Sequence, residues 1–164
     1  MSVFYFDTSA IVKRYFVETG TDWIMDLTNP LRNHLSVIAE ITLAETAATI
    51  AAKHRAIAGI TCQERDEAIQ LFLRHCNTEY HLIPTHRIIL ERAVLLTQNH
   101  RLRGYDAVQL ATALITNEKL IIGKLPPLIF VTADNDLIGA AQSEGLSTDN
   151  PNLHFNDSTD TNSD

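Results

Sequence analysis

Basic charge is scarce in this sequence. Its 164 residues hold 13 Lys and Arg against 20 Asp and Glu, a net charge of −7. That balance argues against a protein that grips nucleic acid by bulk attraction. The distribution tempers the exclusion. Four of the acids fall between Ser147 and Asp164, where there is no Lys or Arg, which leaves 16 acids against 13 bases elsewhere. Cysteine is scarcer still. Cys62 and Cys76 stand at no zinc or redox spacing, which excludes a disulfide scaffold and fits a reducing compartment. No apolar run approaches the roughly 18 residues a membrane helix needs. The first apolar run, Val3 to Phe6, is too short for a signal peptide and has no basic segment before it. The expectation is a cytoplasmic protein without a membrane partner. The six glycines are dispersed, so no glycine-rich phosphate loop is present, and the seven histidines form no HExxH or other close ligand pair.

What the sequence does have is regular alternation. The length suits one domain with a real core. Short β-branched or aromatic runs predict strands at Val3–Phe6, His34–Ile38, Tyr80–Ile83 and Leu128–Val131. Helical periodicity predicts helices over Thr8–Glu18, around Trp23 to Leu27, and over Ala39–Arg55, Cys62–Cys76, His86–Gln98, Tyr105–Asn117 and Asp134–Glu144. Strands alternating with longer helices imply an α/β fold, a parallel central sheet covered by helices on both faces. Cys76 shares a helix face with Ile69, Phe72 and Leu73 and reads as core. From about residue 147 the chain is mostly Asn, Asp, Ser and Thr, a composition that buries too little surface to order itself. The reading is one domain over residues 1–150 and a disordered acidic tail over 151–164, dispensable for any chemistry.

Four carboxylates stand out against apolar surroundings. Asp7 ends the first strand, Glu45 sits in an Ala-rich helix, Asp106 opens an apolar helix, and Asp134 follows the strand run LIFVTA. Each has a structural explanation of its own. Asp7 and Asp134 suit helix N-caps, Asp106 suits the positive end of a helix dipole, and Glu45 suits a solvated helix face. Together they read differently. Two strands far apart in sequence each deliver an acid at the same end, and two tightly packing helices add one apiece. Buried like charges are costly unless something positive joins them. Mg²⁺ or Mn²⁺ fits, because hard cations take carboxylate oxygens and keep waters for substrate phosphates.

The stretches FDTSAIVK at 6–13, ITLAE at 41–45, LRGYDAVQLATAL at 102–114 and FVTADNDLIGAA at 130–141 together resemble a PIN-domain protein, of the VapC type found as toxin ribonucleases in toxin–antitoxin pairs. The resemblance runs from about residue 3 to 150. It implies that Asp7, Glu45, Asp106 and Asp134 form a catalytic Mg²⁺ or Mn²⁺ site. Ser9 and Asp136 take supporting places, with Asp134 favoured over Asp136 as ligand because it directly follows the strand. It also implies an RNA substrate, a small VapB-like antitoxin as partner, a homodimer, and contact with DNA only through the antitoxin.

Two other functional classes compete. A haloacid-dehalogenase-like phosphatase also begins with a strand ending in Asp, but it needs a second Asp two residues on, and that position is Ser9. A catalytically silent PIN-like binding module is the other; the presence of all four acids weighs against it. Lys13, Arg14, Arg101 and Arg103 flank two of the acids and are candidates for phosphate contact. Tyr15, Phe16, Trp23 and Ile24 are candidates for a groove that receives a partner helix.

Overall fold

The computed structural model describes residues 1–155. The first strand, β1 (Val3–Phe6), is buried at every residue, as its uninterrupted apolar run requires. It pairs in parallel with β2 (Leu35–Ala39) on one side and β4 (Leu128–Val131) on the other. The sheet closes with β3 (His81–Ile83) beside β2 and β5 (Ser147–Asp149) beside β4, giving the order β3-β2-β1-β4-β5, all parallel. The expected strands are therefore all present, and β5 is added. Both edge strands are only three residues long, which limits pairing with other chains.

Alternate residues of β1 serve opposite faces. Val3 and Tyr5 pack with α5 (Arg87–Asn99), α6 (Gly104–Ile122) and α7 (Asn135–Ser143), through Ile89, Ala93, Leu96, Leu110 and Leu137. Phe4 and Phe6 pack with α1 (Thr8–Ile11), α2 (Thr21–Leu27) and α4 (Cys62–Thr78), through Ile11, Ile24, Leu27, Phe72 and Cys76. Helix α3 (Ile41–Arg55) bridges to α4 through a smaller cluster of Val12, Ile50 and Ala68. Helix α6 is the most deeply embedded, with Ala107 to Leu114 buried without a break. Its alanines at 107, 111 and 113 let it lie close to the sheet.

The predicted helix over Thr8–Glu18 is shorter in fact. After α1 the chain tightens into a 3₁₀ turn over Val12–Tyr15 and becomes extended at Phe16. Side-chain bonds to the backbone draw it off the helix path: Lys13 Nζ donates to the Thr19 carbonyl, and the Thr21 hydroxyl donates to the Phe16 carbonyl. The first part of the tail expected to be disordered is ordered. Ser147–Asp149 forms β5, and Pro151–Leu153 makes a 3₁₀ turn whose Pro151 is buried. Tertiary pairing supplies what composition lacked: Thr132 N–H donates to Asp149 O. The rest of the expected tail, 156–164, lies outside the described residues.

This C-terminal segment lies against α2. Gly20 adopts φ +87°, and a Cβ there would collide with the Pro151 carbonyl. Next to that contact the Trp23 indole stacks on the His154 ring at 3.8 Å. Gly20→Ala is expected to cost about 2 kcal/mol or more, from the left-handed backbone and the clash together. Trp23 emission should shift to the red as His154 lifts away. Thermal melts and fluorescence of the two proteins check both effects, and unchanged emission would show that the segment stays in place.

Candidate active site

Asp7 lies at the carboxyl end of the central strand, beside β4, where connections run outward to both halves of the sheet. Its backbone N–H donates to Val131 O, extending the β1–β4 ladder by one step. The side chain turns back to cap α1 and is only 5% exposed. Oδ1 accepts from the Ser9 hydroxyl at 2.8 Å and from the Ala10 N–H at 3.0 Å. Oδ2 accepts from the Thr132 hydroxyl at 2.9 Å and from Ser9 at 3.0 Å. Every donor is neutral. Burial consequently dominates, and it pushes the Asp7 carboxyl up from 3.8 to about 7 despite these bonds.

Glu45 comes from α3, half-buried against α6. Its Oε2 accepts from the Thr8 hydroxyl at 2.8 Å and from Gln109 Nε2 at 2.6 Å. Asp106 is in the first turn of α6, as the dipole favours. Its carboxyl is raised by partial burial, then by the charges of Asp134 and Glu45; the Arg103 guanidinium acts weakly the other way. Those two neighbours show that α6, α3 and the end of β4 bring three acids into one electrostatic region. Asp134 caps α7, its Oδ1 accepting from the Asp136 and Leu137 N–H groups at 2.8 and 3.1 Å. Asp136 is exposed on the rim. Asp106, Asp134 and Asp136 line a cleft of about 400 Å³ with Arg101, Leu102 and Arg103.

The cap roles of Asp7 and Asp134 are thus real, and they coexist with the crevice. Among the described residues no three His, Cys, Asp or Glu side chains are gathered tightly enough to hold a metal ion as they stand. The donor chemistry nonetheless suits a hard cation: all the candidates are carboxylates, and two of them are raised, Asp7 by burial and Asp106 by burial and then by the neighbouring Asp134 and Glu45 charges.

Other candidates sort themselves by their partners. Lys13 is buried, bonded to Thr19 O and 3.7 Å from Glu18, and so does not face the crevice as a phosphate contact. Arg14 is taken up by Glu79 at 2.7 Å and by the Tyr80 hydroxyl at 2.7 Å. Arg101 and Arg103 are exposed at the cleft. Ile24 is fully buried in the core and cannot belong to a docking groove. Trp23 is stacked on His154. Two further contributors, Thr132 and Gln109, lie inside stretches already conspicuous in the sequence. The signal at Gln109 was a polar residue in the middle of an apolar helical run.

A parallel sheet with an acid-lined crevice at the ends of its central strands defines an α/β protein built to act at the point where the strand order reverses. The sequence profile of the PIN domain family matches residues 4–142. The chain belongs to the PIN-domain family. The fold is similar to that of a toxin–antitoxin complex from Klebsiella pneumoniae, at 19% identity and TM-score 0.53 over 83% of this chain and 91% of that one. It is also similar to VapBC2 from Rickettsia felis bound to a DNA fragment from its promoter, at 14% identity and TM-score 0.61 over 90% and 98% of the two chains. A third similar structure is VapC20 of Mycobacterium tuberculosis, a sarcin-ricin loop cleaving toxin, at 14% identity and TM-score 0.57 over 85% and 95%. No curated protein matches the chain by sequence.

Burial of Asp7 sets a pH dependence. An acid raised in the folded state supports the fold fully below its unfolded value of 3.8, and that support is gone once pH passes about 7. Metal-free protein should therefore lose stability between these limits, by on the order of 4 kcal/mol at most. Asp7→Asn should flatten that slope. Asp106→Asn should raise the melting temperature in chelator, more at about pH 8 than at about pH 5, because it removes one of the mutually repelling charges. Melting curves across pH decide. An Asp106→Asn protein that melts below wild type would make Asp106 a structural helix-end acid.

Proposed function

We propose that this chain is a Mg²⁺- or Mn²⁺-dependent endoribonuclease, the toxin of a VapBC-type toxin–antitoxin pair. The observation that supports the reading is the cleft lined by Asp106, Asp134 and Asp136 and edged by Arg101 and Arg103. In this reading Asp7, Glu45, Asp106 and Asp134 hold the cation. When bound, a divalent ion supplies a more acidic water and neutralises charge on the phosphate under attack. Ser9 and Thr132 fix the Asp7 carboxylate, Asp136 lines the rim, and Arg101 and Arg103 meet the RNA backbone. The phosphatase alternative fares worse, because the second Asp that its motif needs two residues after Asp7 is replaced by Ser9, which bonds the Asp7 carboxylate.

The partner reading moves away from Trp23. Val17 and Ile57 are 95% and 102% exposed, and both line a cleft with Phe16 and Ile60. Exposed aliphatics of that kind suit the apolar face of a short antitoxin helix. The homodimer expectation finds support on α5, where Ile88, Leu90, Val94 and Leu95 face solvent. DNA would then be reached only through the antitoxin; the similar VapBC2 structure is bound to a DNA fragment from its promoter.

Purified protein should cut RNA with Mn²⁺ or Mg²⁺ and stop with chelator. Glu45→Gln and Asp7→Asn should each lower the rate about a hundredfold or more. No cleavage in any metal condition, with tight RNA binding retained, would instead make this a silent binding module. Arg101→Glu with Arg103→Glu should weaken RNA binding and flatten its salt dependence by about two phosphate contacts. Val17→Glu with Ile57→Glu should abolish antitoxin binding in pull-downs while leaving cleavage intact. Unchanged binding would move the docking site elsewhere.

A further inference from the structure

Gln109 lies three residues after Asp106 on α6, and it is 2% exposed. A buried primary amide is costly unless it is bonded, and here its bonds point in two directions. Its Oε1 accepts from the Tyr5 hydroxyl at 2.7 Å. Its Nε2 donates to Glu45 Oε2 at 2.6 Å and to the Thr42 hydroxyl at 2.9 Å. The surroundings fix which end is which. The reverse orientation would press a carbonyl oxygen against the carboxylate. Tyr5 and Thr42 are both fully buried, so water cannot readily take over either contact.

We infer that Gln109 is a positioning residue for the acidic site, held from beneath by Tyr5 and holding the Glu45 carboxylate from α6. The inference rests on the proposed role of Glu45 as a metal ligand. Gln109 and the Thr8 hydroxyl both bond Oε2, which fixes the carboxylate plane and leaves Oε1 for a ligand. The choice of an amide is chemically apt. A Lys or Arg at this place would fix Glu45 equally well, but its charge would neutralise the carboxylate and compete with a divalent ion. A neutral donor orients without competing. The arrangement also ties three elements of the crevice together: β1 through Tyr5, α3 through Glu45 and Thr42, and α6 through Gln109 itself. Partners behind metal ligands commonly matter to affinity by ten- to a hundredfold.

The test measures Mn²⁺ binding directly, by calorimetry and by the loss of the free-Mn²⁺ paramagnetic resonance signal. Gln109→Met keeps the length of the side chain and removes its bonds. Leu110→Val is the control, since it loosens the same buried helix without touching Glu45. Wild type should bind Mn²⁺ and Glu45→Gln should bind it poorly. Gln109→Met should bind about tenfold or more weaker than wild type, Leu110→Val within about twofold, and cleavage by the Gln109 variant should recover towards wild type at saturating Mn²⁺. If Gln109→Met does not fold, Tyr5→Phe takes its place; a smaller loss of affinity supports the inference and none overturns it. Wild-type affinity in Gln109→Met, or an equal loss in Leu110→Val, overturns it while leaving the site reading intact. Failure of wild type to bind Mn²⁺, or of Glu45→Gln to lose it, removes the site reading and this inference with it.

Discussion

An ionisable carboxyl at the buried end of the central strand is the constraint the rest of this structure answers to. Asp7 cannot be moved outward, because its backbone N–H continues the ladder to Val131 and its side chain caps the helix that follows. It cannot be neutralised by a neighbour, because the groups around it are two hydroxyls and a backbone amide. Hydrogen bonds lower its cost without removing it, which is why the carboxyl stays raised. The fold accepts a local loss of stability at the point where the order of strands reverses.

The same solution recurs at two of the other acids. Glu45 is held by Thr8 and Gln109, and Asp134 by the backbone N–H groups of Asp136 and Leu137. Neither has a bonded Lys or Arg side chain. Basic side chains are close at hand, yet Lys13 and Arg14 are engaged by Thr19, Glu79 and Tyr80. Arg101 and Arg103 stand at the mouth. Orientation by neutral donors with cations kept to the rim leaves net negative charge in the crevice. That is the condition under which a divalent ion gains most from entering.

Much of this was legible in the sequence, and the reasons differ by element. The strands were readable because both faces of a parallel sheet are buried, so Val3–Phe6 and Leu128–Val131 appear as unbroken apolar runs. The acids were readable because they follow such runs or interrupt apolar helices. Gln109 was visible as a polar intrusion, but nothing in one dimension says that it reaches Glu45, 64 positions away. Lys13 and Arg14 were misleading because proximity in sequence to Asp7 says nothing about which carbonyl or hydroxyl lies within reach. The 147–155 segment was misread because its order comes from pairing with β4 and packing on Gly20, not from its own composition.

One short segment joins the crevice to the exposed apolar cleft. Its first residue is Asp7, and ten residues later it presents Val17 to solvent beside the half-buried Phe16. Between them Ala10, Ile11 and Val12 are buried and Lys13 is tied to Thr19 O. It contains no glycine. Under the proposed reading, a partner that grips Val17 therefore holds the same short segment whose other end is the cap containing Asp7. Restraint of such an enzyme would not require the partner to fill the crevice. A displacement of α1 small enough to leave the core intact would already disturb the bonds that Ser9 and Ala10 make to the Asp7 carboxylate, since those bonds depend on the first turn of that helix.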